Sequence, residues 1–174
     1  MALAWATLED AIYTWFVAAS GLSRVYWAEQ NVPQRDETFA VLKIIAGPIQ
    51  VGTADQVALT TNLAAPGAEV VHTVHGDREM TLNCQVVSRT ITSANTARDY
   101  LSKAQTGLFL PTRRAALQTA GWAPIDAGAI TDLTALMGPD FHSRASMDVR
   151  FRIRDTATES TGYIATVDFA IAVS

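Results

Sequence analysis

At 174 residues the chain falls in the range of a single domain, 1–174, and can bury about 70% of its unfolded surface without staples. Charged residues make up only 17%, against about 25% in ordinary soluble domains, which points to a surface partly covered by neighbours. The formal net charge of −4 argues against a free-standing nucleic-acid binder, which carries a basic domain.

The one cysteine, Cys84, excludes an intrachain disulfide and a cysteine metal cluster, and fits a reducing compartment. The opening residues lack the basic start of a signal peptide. No stretch approaches the roughly 18 apolar residues of a membrane span. The expectation is a soluble protein made in a cytoplasm.

Residues 7–20 read as an amphipathic helix, with Leu8, Ile12, Trp15, Phe16 and Ala19 at helical spacing. Thr7 is placed to cap it, Asp10 to complement its dipole and Gly21 to stop it. Trp5 and Tyr13 fall off the apolar stripe. A short strand over 24–29 leads to a turn at Pro33. Residues 38–46 are apolar on both faces, as in a central strand, and Gly47-Pro48 ends or bends it. The small and polar residues of 54–66 suggest a flexible loop or arm.

A hairpin is expected from 68–75 and 78–89 around Gly76-Asp77, with Thr73 opposite Met80 and Val71 opposite Leu82. Met80, Leu82, Cys84 and Val86 then share one face. A helix over about 95–107 carries Ala97, Tyr100, Leu101 and Ala104 at helical spacing and closes at Gly107 and Pro111. A second helix, 112–120, ends at Gly121, and 122–140 reads as an extended loop with a short strand near 129–133. In the last element Ala145, Met147, Val149, Phe151 and Ile153 alternate with polar residues, and 163–171 alternate likewise. A hairpin turning near Glu159 would set Phe151 against Val167 and Arg150 against Asp168. The sum is an α+β domain: an antiparallel or mixed sheet, an N-terminal helix and two central helices largely on one face, and a long C-terminal β-hairpin.

Little in the sequence asks for chemistry. His72 and His75 point to opposite faces of a strand, so joining them with Glu79 on one ion needs a bend there. His142 beside Asp140 reads as a loop histidine. Cys84 lies on an apolar face, where a cysteine behaves as a small hydrophobe. Asp126, Asp132 and Asp140 lack the order of a calcium loop. No phosphate-binding glycine loop, zinc-protease motif or nucleophile elbow is present. These observations predict no enzyme, no metal and no cofactor. Arg150, Arg152 and Arg154 line the polar face of one strand, with Arg144 further back. Such a stripe can follow a phosphate backbone, form ion pairs between subunits with Asp148, Asp155, Asp168 and Glu159, or stay solvated. Arg113 and Arg114 open a helix, where cations oppose the dipole.

The run Ala11-Ile12-Tyr13-Thr14-Trp15, then Gly21-Leu22-Ser23, then Val25-Tyr26-Trp27-Ala28-Glu29-Gln30-Asn31-Val32-Pro33 resembles the opening of tailed-phage neck and tail-terminator proteins. Gln34-Arg35-Asp36 departs from it, standing where another proline is expected. The resemblance is specific over residues 8–46 and architectural beyond. It implies a virion protein: a homo-oligomeric ring, six-fold, that caps the tail tube and meets the head connector while the genome passes through unread. It also implies a sheath partner where the tail contracts. The expected subunit-interface or lumen residues are Tyr26, Trp27, Arg150, Arg152, Arg154 and Asp168. Two alternatives stand beside it: a tail-tube or baseplate subunit, and a small-molecule-binding α+β domain whose apolar hairpin faces line a pocket.

Overall fold

The computed structural model describes residues 5–28, 37–52, 55–61, 70–88, 96–137 and 140–161. In chain order these form α1 (Trp5–Ser20), β1 (Val25–Trp27), β2 (Phe39–Gln50), β3 (Gln56–Thr61), β4 (Val70–Ser88), α2 (Ala97–Leu108), α3 (Pro111–Thr119), β5 (Trp122–Ala127), β6 (Thr131–Asp132), β7 (Ala135–Met137) and β8 (Asp140–Thr161). The strand order is β1-β2-β4-β8-β5, with β3 also on β4, and β6 and β7 on β8. The sheet is mixed: β1 runs parallel to β2, while β2 lies antiparallel to β4 and β5 to β8. This is the α+β architecture that the residue patterns predict.

The chain forms two compact units. The larger comprises Ala4–Val51 and Asp77–Arg154; the smaller comprises Met1–Leu3, Gly52–Gly76 and Asp155–Ser174.

In the larger unit, period-two alternation sorts each strand into a dry face and a wet one. Ala40 and Leu42 of β2, Met80, Leu82, Cys84 and Val86 of β4, and Ala145, Met147, Val149, Phe151 and Ile153 of β8 are all buried. Onto this face α1 lays the stripe expected of it, Leu8, Ile12, Trp15, Phe16 and Ala19. Trp15 and Trp122 meet the Phe151 ring edge-on, at centroid distances of 6.1 and 5.0 Å. The Trp122 indole N–H donates to the Leu8 carbonyl at 2.9 Å, tying β5 to α1. The second helix, α2, starts on a capping box: the Asp99 amide donates to the Thr96 hydroxyl and the Thr96 amide to the Asp99 carboxylate. The Ser143 hydroxyl accepts from the Ala97 amide and fixes that end on the sheet.

Several local expectations are corrected. The first helix begins at Trp5, so Thr7 and Asp10 lie inside it rather than at its cap. The second helix ends at Leu108, one residue past the expected end at Gly107, and Gly107 is buried in its last turn. A Cβ there would come within 2.8 Å of the Ala19 Cβ, so the glycine lets α2 approach α1. Gly121, with φ +95°, does end α3, and Gly21 with φ +77° ends α1. Gly47-Pro48 bends β2 without ending it: the pairing with β4 shifts register between Ala46 and Ile49 and then resumes.

The largest correction concerns Gly76-Asp77. No turn forms there, and 70–88 is one continuous strand. Its first part pairs with β3 (Gln56 opposite His75 to Thr61 opposite Val70) and its second with β2 (Leu42 opposite Cys84). Two successive partners keep the backbone of β4 extended through the glycine. Within the expected loop or arm of 54–66, residues 56–61 form a strand, while 54 and 62–66 lie outside the described residues.

Residues 122–127 also form a strand where a loop is expected, with Pro124 accommodated beside a register shift against β8. The short strand anticipated near 129–133 is β6. Strand β8 is long, as expected, and runs through Glu159 to Thr161. On β5, Pro124 stands opposite Phe151 and Asp126 opposite Arg150; Val167 and Asp168, the partners expected in the hairpin, lie outside the described residues.

Candidate subunit interface

Among the described residues no helix lies over the second face of the larger unit's sheet, and the even-numbered residues of β8 bring their charges to it. Arg150 pairs with Asp126 of β5 at 3.1 Å, Arg152 with Glu79 of β4 at 3.0 Å, and Arg154 with Asp77 of β4 at 3.3 Å. Further along, Arg144 donates to the Gln85 side-chain carbonyl at 2.8 Å and Asn83 donates to the Asp148 carboxylate at 2.6 Å. The expected arginine stripe is thus real, but Arg150, Arg152 and Arg154 each meet a carboxylate of their own chain, and Arg144 meets an amide. Sequence reasoning missed Glu79 and Asp77 as partners because the expected turn at Gly76-Asp77 removed β4 from the neighbourhood of β8. The alternation of Asp77 and Glu79 along β4 was the available signal.

Each side chain of these pairs is at least about a third exposed, so each pair contributes about 0–1 kcal/mol to stability. Their greater consequence is electrostatic. A guanidinium already held by a carboxylate presents little net field to a phosphate backbone.

Tyr26 and Trp27 sit on β1, half-buried. Tyr26 packs edge-on against Phe39 with centroids 6.5 Å apart. Trp27, with Trp5, Glu9, Lys43 and Ile44, lines an open cavity of about 340 Å³. Asp168, the remaining expected interface residue, lies outside the described residues.

In the smaller unit every residue of β3 is exposed. Val57 and Leu59, two apart and hence on one face, keep 62% and 65% of their surface in solvent.

Nothing among the described residues assembles a catalytic or metal centre. No group of three or more His, Cys, Asp and Glu side chains converges. His72 and His75 lie three residues apart on β4, opposite Leu59 and Gln56 of β3, and the His75 ring contacts the Thr156 hydroxyl at 3.2 Å. His142 lies in β8, opposite Ala135, and not in a loop. Cys84 is fully buried, and desolvation, with a smaller contribution from Asp148, pushes its thiol far above the ordinary range. Such a thiol is no nucleophile at neutral pH. Asp132 is held below the usual carboxylate range by hydrogen bonds from the Thr134 hydroxyl and amide, with Arg98 adding attraction. That is a turn-forming role. No described helix is long and apolar enough to cross a membrane.

Among the described residues, the larger unit is an α+β fold whose mixed sheet has one helix-covered dry face and one face of internally matched charge. The chain belongs to the phage neck terminator family, whose model, described as "Phage neck terminator protein", matches residues 6–174. It is therefore a component of the phage tail. Among solved structures it is similar to the sheath/tube terminator, in the extended state, of an extracellular contractile injection system, with 11% identity and a TM-score of 0.44. That alignment covers 100% of this chain and 65% of the other, so the chain spans just under two thirds of the length of that structure. No curated protein matches the chain.

Proposed function

We infer that the chain is a structural, non-catalytic subunit that closes into a six-fold ring at the top of the phage tail. There it ends the tail tube, meets the sheath in a contractile tail, and joins the tube to the head connector while DNA passes. The observation that carries this reading is the family match over residues 6–174, nearly the whole chain. Two features support its finer parts. A charge content of 17% suits a subunit whose surface is shared with neighbours. Pairing of Arg150, Arg152 and Arg154 with Asp126, Glu79 and Asp77 leaves no bare phosphate track along β8, which suits DNA that must slide and not adhere.

The test is polymerisation of the cognate tube protein in the presence of the purified chain. Tubes should stop growing and carry the chain at one end only. Continued growth, or incorporation along the whole tube, would exclude termination and favour a tube subunit.

A further inference from the structure

Where the end of α1, the last turns of α2 and the start of α3 meet, the larger unit holds an open cavity of about 320 Å³. Its wall includes Ser102, Lys103, Thr106 and Gly107 of α2, with Leu110 and Arg113 at the start of α3. Two cations and two hydroxyls therefore face it, and no carboxylate stands among the described residues that line it.

The Arg113 guanidinium is pinned there. One end nitrogen donates to the Ala18 carbonyl at 2.8 Å. The other lies over Gly107, where a Cβ would come within 2.5 Å of it. A carbonyl holds a guanidinium without cancelling its charge, so the other N–H groups stay available to an anion. Lys103 is exposed, and its ammonium lies 5.4 Å from the centroid of the Tyr100 ring. The nearby acids are placed elsewhere. Asp99, one turn before Lys103, takes the Thr96 amide and hydroxyl at 2.9 Å each. Asp10 lies eight residues before Ala18, about 12 Å away along α1. The negative end of α1 and the positive end of α3, each about half a charge, meet here and offset, leaving two full cations to set the sign.

Beside the cavity Phe109 and Leu110 keep 46% and 44% of their surface in solvent. From Tyr100 to Ile125 the chain holds Lys103, Arg113 and Arg114 and no acid, although acids outnumber bases 17 to 13 overall.

We propose that this corner docks an acidic segment of another tail protein, one carboxylate entering the cavity between Arg113 and Lys103 while an apolar neighbour packs on Phe109 and Leu110. The cations and hydroxyls select an anion. The exposed apolar pair selects a protein over a nucleic acid, since a phosphate backbone has nothing to lay on it. Glu37, Asp77, Glu79, Asp126 and Asp132 already hold arginines of their own chain, which makes a second copy a poor source of the carboxylate. This rests on the tail reading above.

The test treats assembled tails containing the full chain with a water-soluble carbodiimide, which joins an ammonium to a carboxylate paired with it. The chain has two lysines, Lys43 and Lys103, so mass spectrometry assigns each link to one place. The expected product joins Lys103 to an aspartate or glutamate of another tail protein, with an apolar side chain beside it. Lys103→Glu, at an exposed position, should melt with the wild type yet enter tails several-fold less well, and Lys103→Arg should restore entry. Tails that hold the chain but give no link at Lys103, or a link to a second copy, overturn the proposal and leave the tail reading standing. So does a Lys103→Glu chain that enters tails as well as the wild type, or one whose retention is lost on nuclease treatment alone. Absence of the wild-type chain from tails overturns the tail reading, and this inference with it.

Discussion

Cys84 has no solvent-exposed surface and sits on β4 between Leu82 and Val86, opposite Leu42 of β2. Its placement on the apolar face was legible from alternation alone. What alternation could not supply is how strongly that burial resists ionisation. In the folded state the thiol stays neutral, whereas the unfolded thiol ionises near its ordinary value of 9.0. Stability linked to this group is therefore full below pH 9 and falls as pH rises beyond it, by up to about 1.4 kcal/mol per unit. Urea unfolding between pH 8 and pH 10 should show a decline in the wild type that is shallower in Cys84→Ala. Equal slopes would place the thiol in water. Trp122 makes a second residue-scale prediction. Trp122→Phe removes the donor to the Leu8 carbonyl while keeping an aromatic beside Phe151, and should cost about 1–2 kcal/mol in chemical unfolding.

At the scale of elements, the arginine that looked misplaced finds its reason. Arg113 lies in the first turn of α3, where a cation opposes that helix's dipole. Its guanidinium reaches across to the Ala18 carbonyl at 2.8 Å, at the C-terminal end of α1, where a cation is favoured. Arg113→Met should lower stability by about 0.5–1 kcal/mol, an effect that weakens with added salt if the dipole is its source. Gly107 inverts a propensity rule. Alanine is normally the better helix former, but at Gly107, in the last turn of α2, its Cβ would sit 2.8 Å from that of Ala19. Gly107→Ala should therefore destabilise, and a raised melting temperature would contradict the α1–α2 packing described. Helices and strand faces were readable because periodicity is local. Continuity of β4 through Gly76-Asp77 was not, since it depends on β2 and β3 pairing in succession along one strand. The same non-local pairing made 56–61 and 122–127 strands where composition suggested loops.

For the whole molecule, the sequence showed the arginine stripe and the family opening, while only the assembled sheet shows which carboxylates neutralise the stripe. That neutralisation has a measurable consequence. The wild type should give no electrophoretic shift of duplex DNA at physiological salt, whereas Asp77→Asn/Glu79→Gln should free Arg154 and Arg152 and produce salt-sensitive retention. Equal binding by both would remove charge matching from the explanation of DNA passage. The central claim is that copies of this chain close on themselves at the end of a tail. Electron microscopy of the purified protein tests it most directly. Closed six-fold rings with an open channel are the expected result; isolated monomers at high concentration, or open-ended helical tubes, would contradict it.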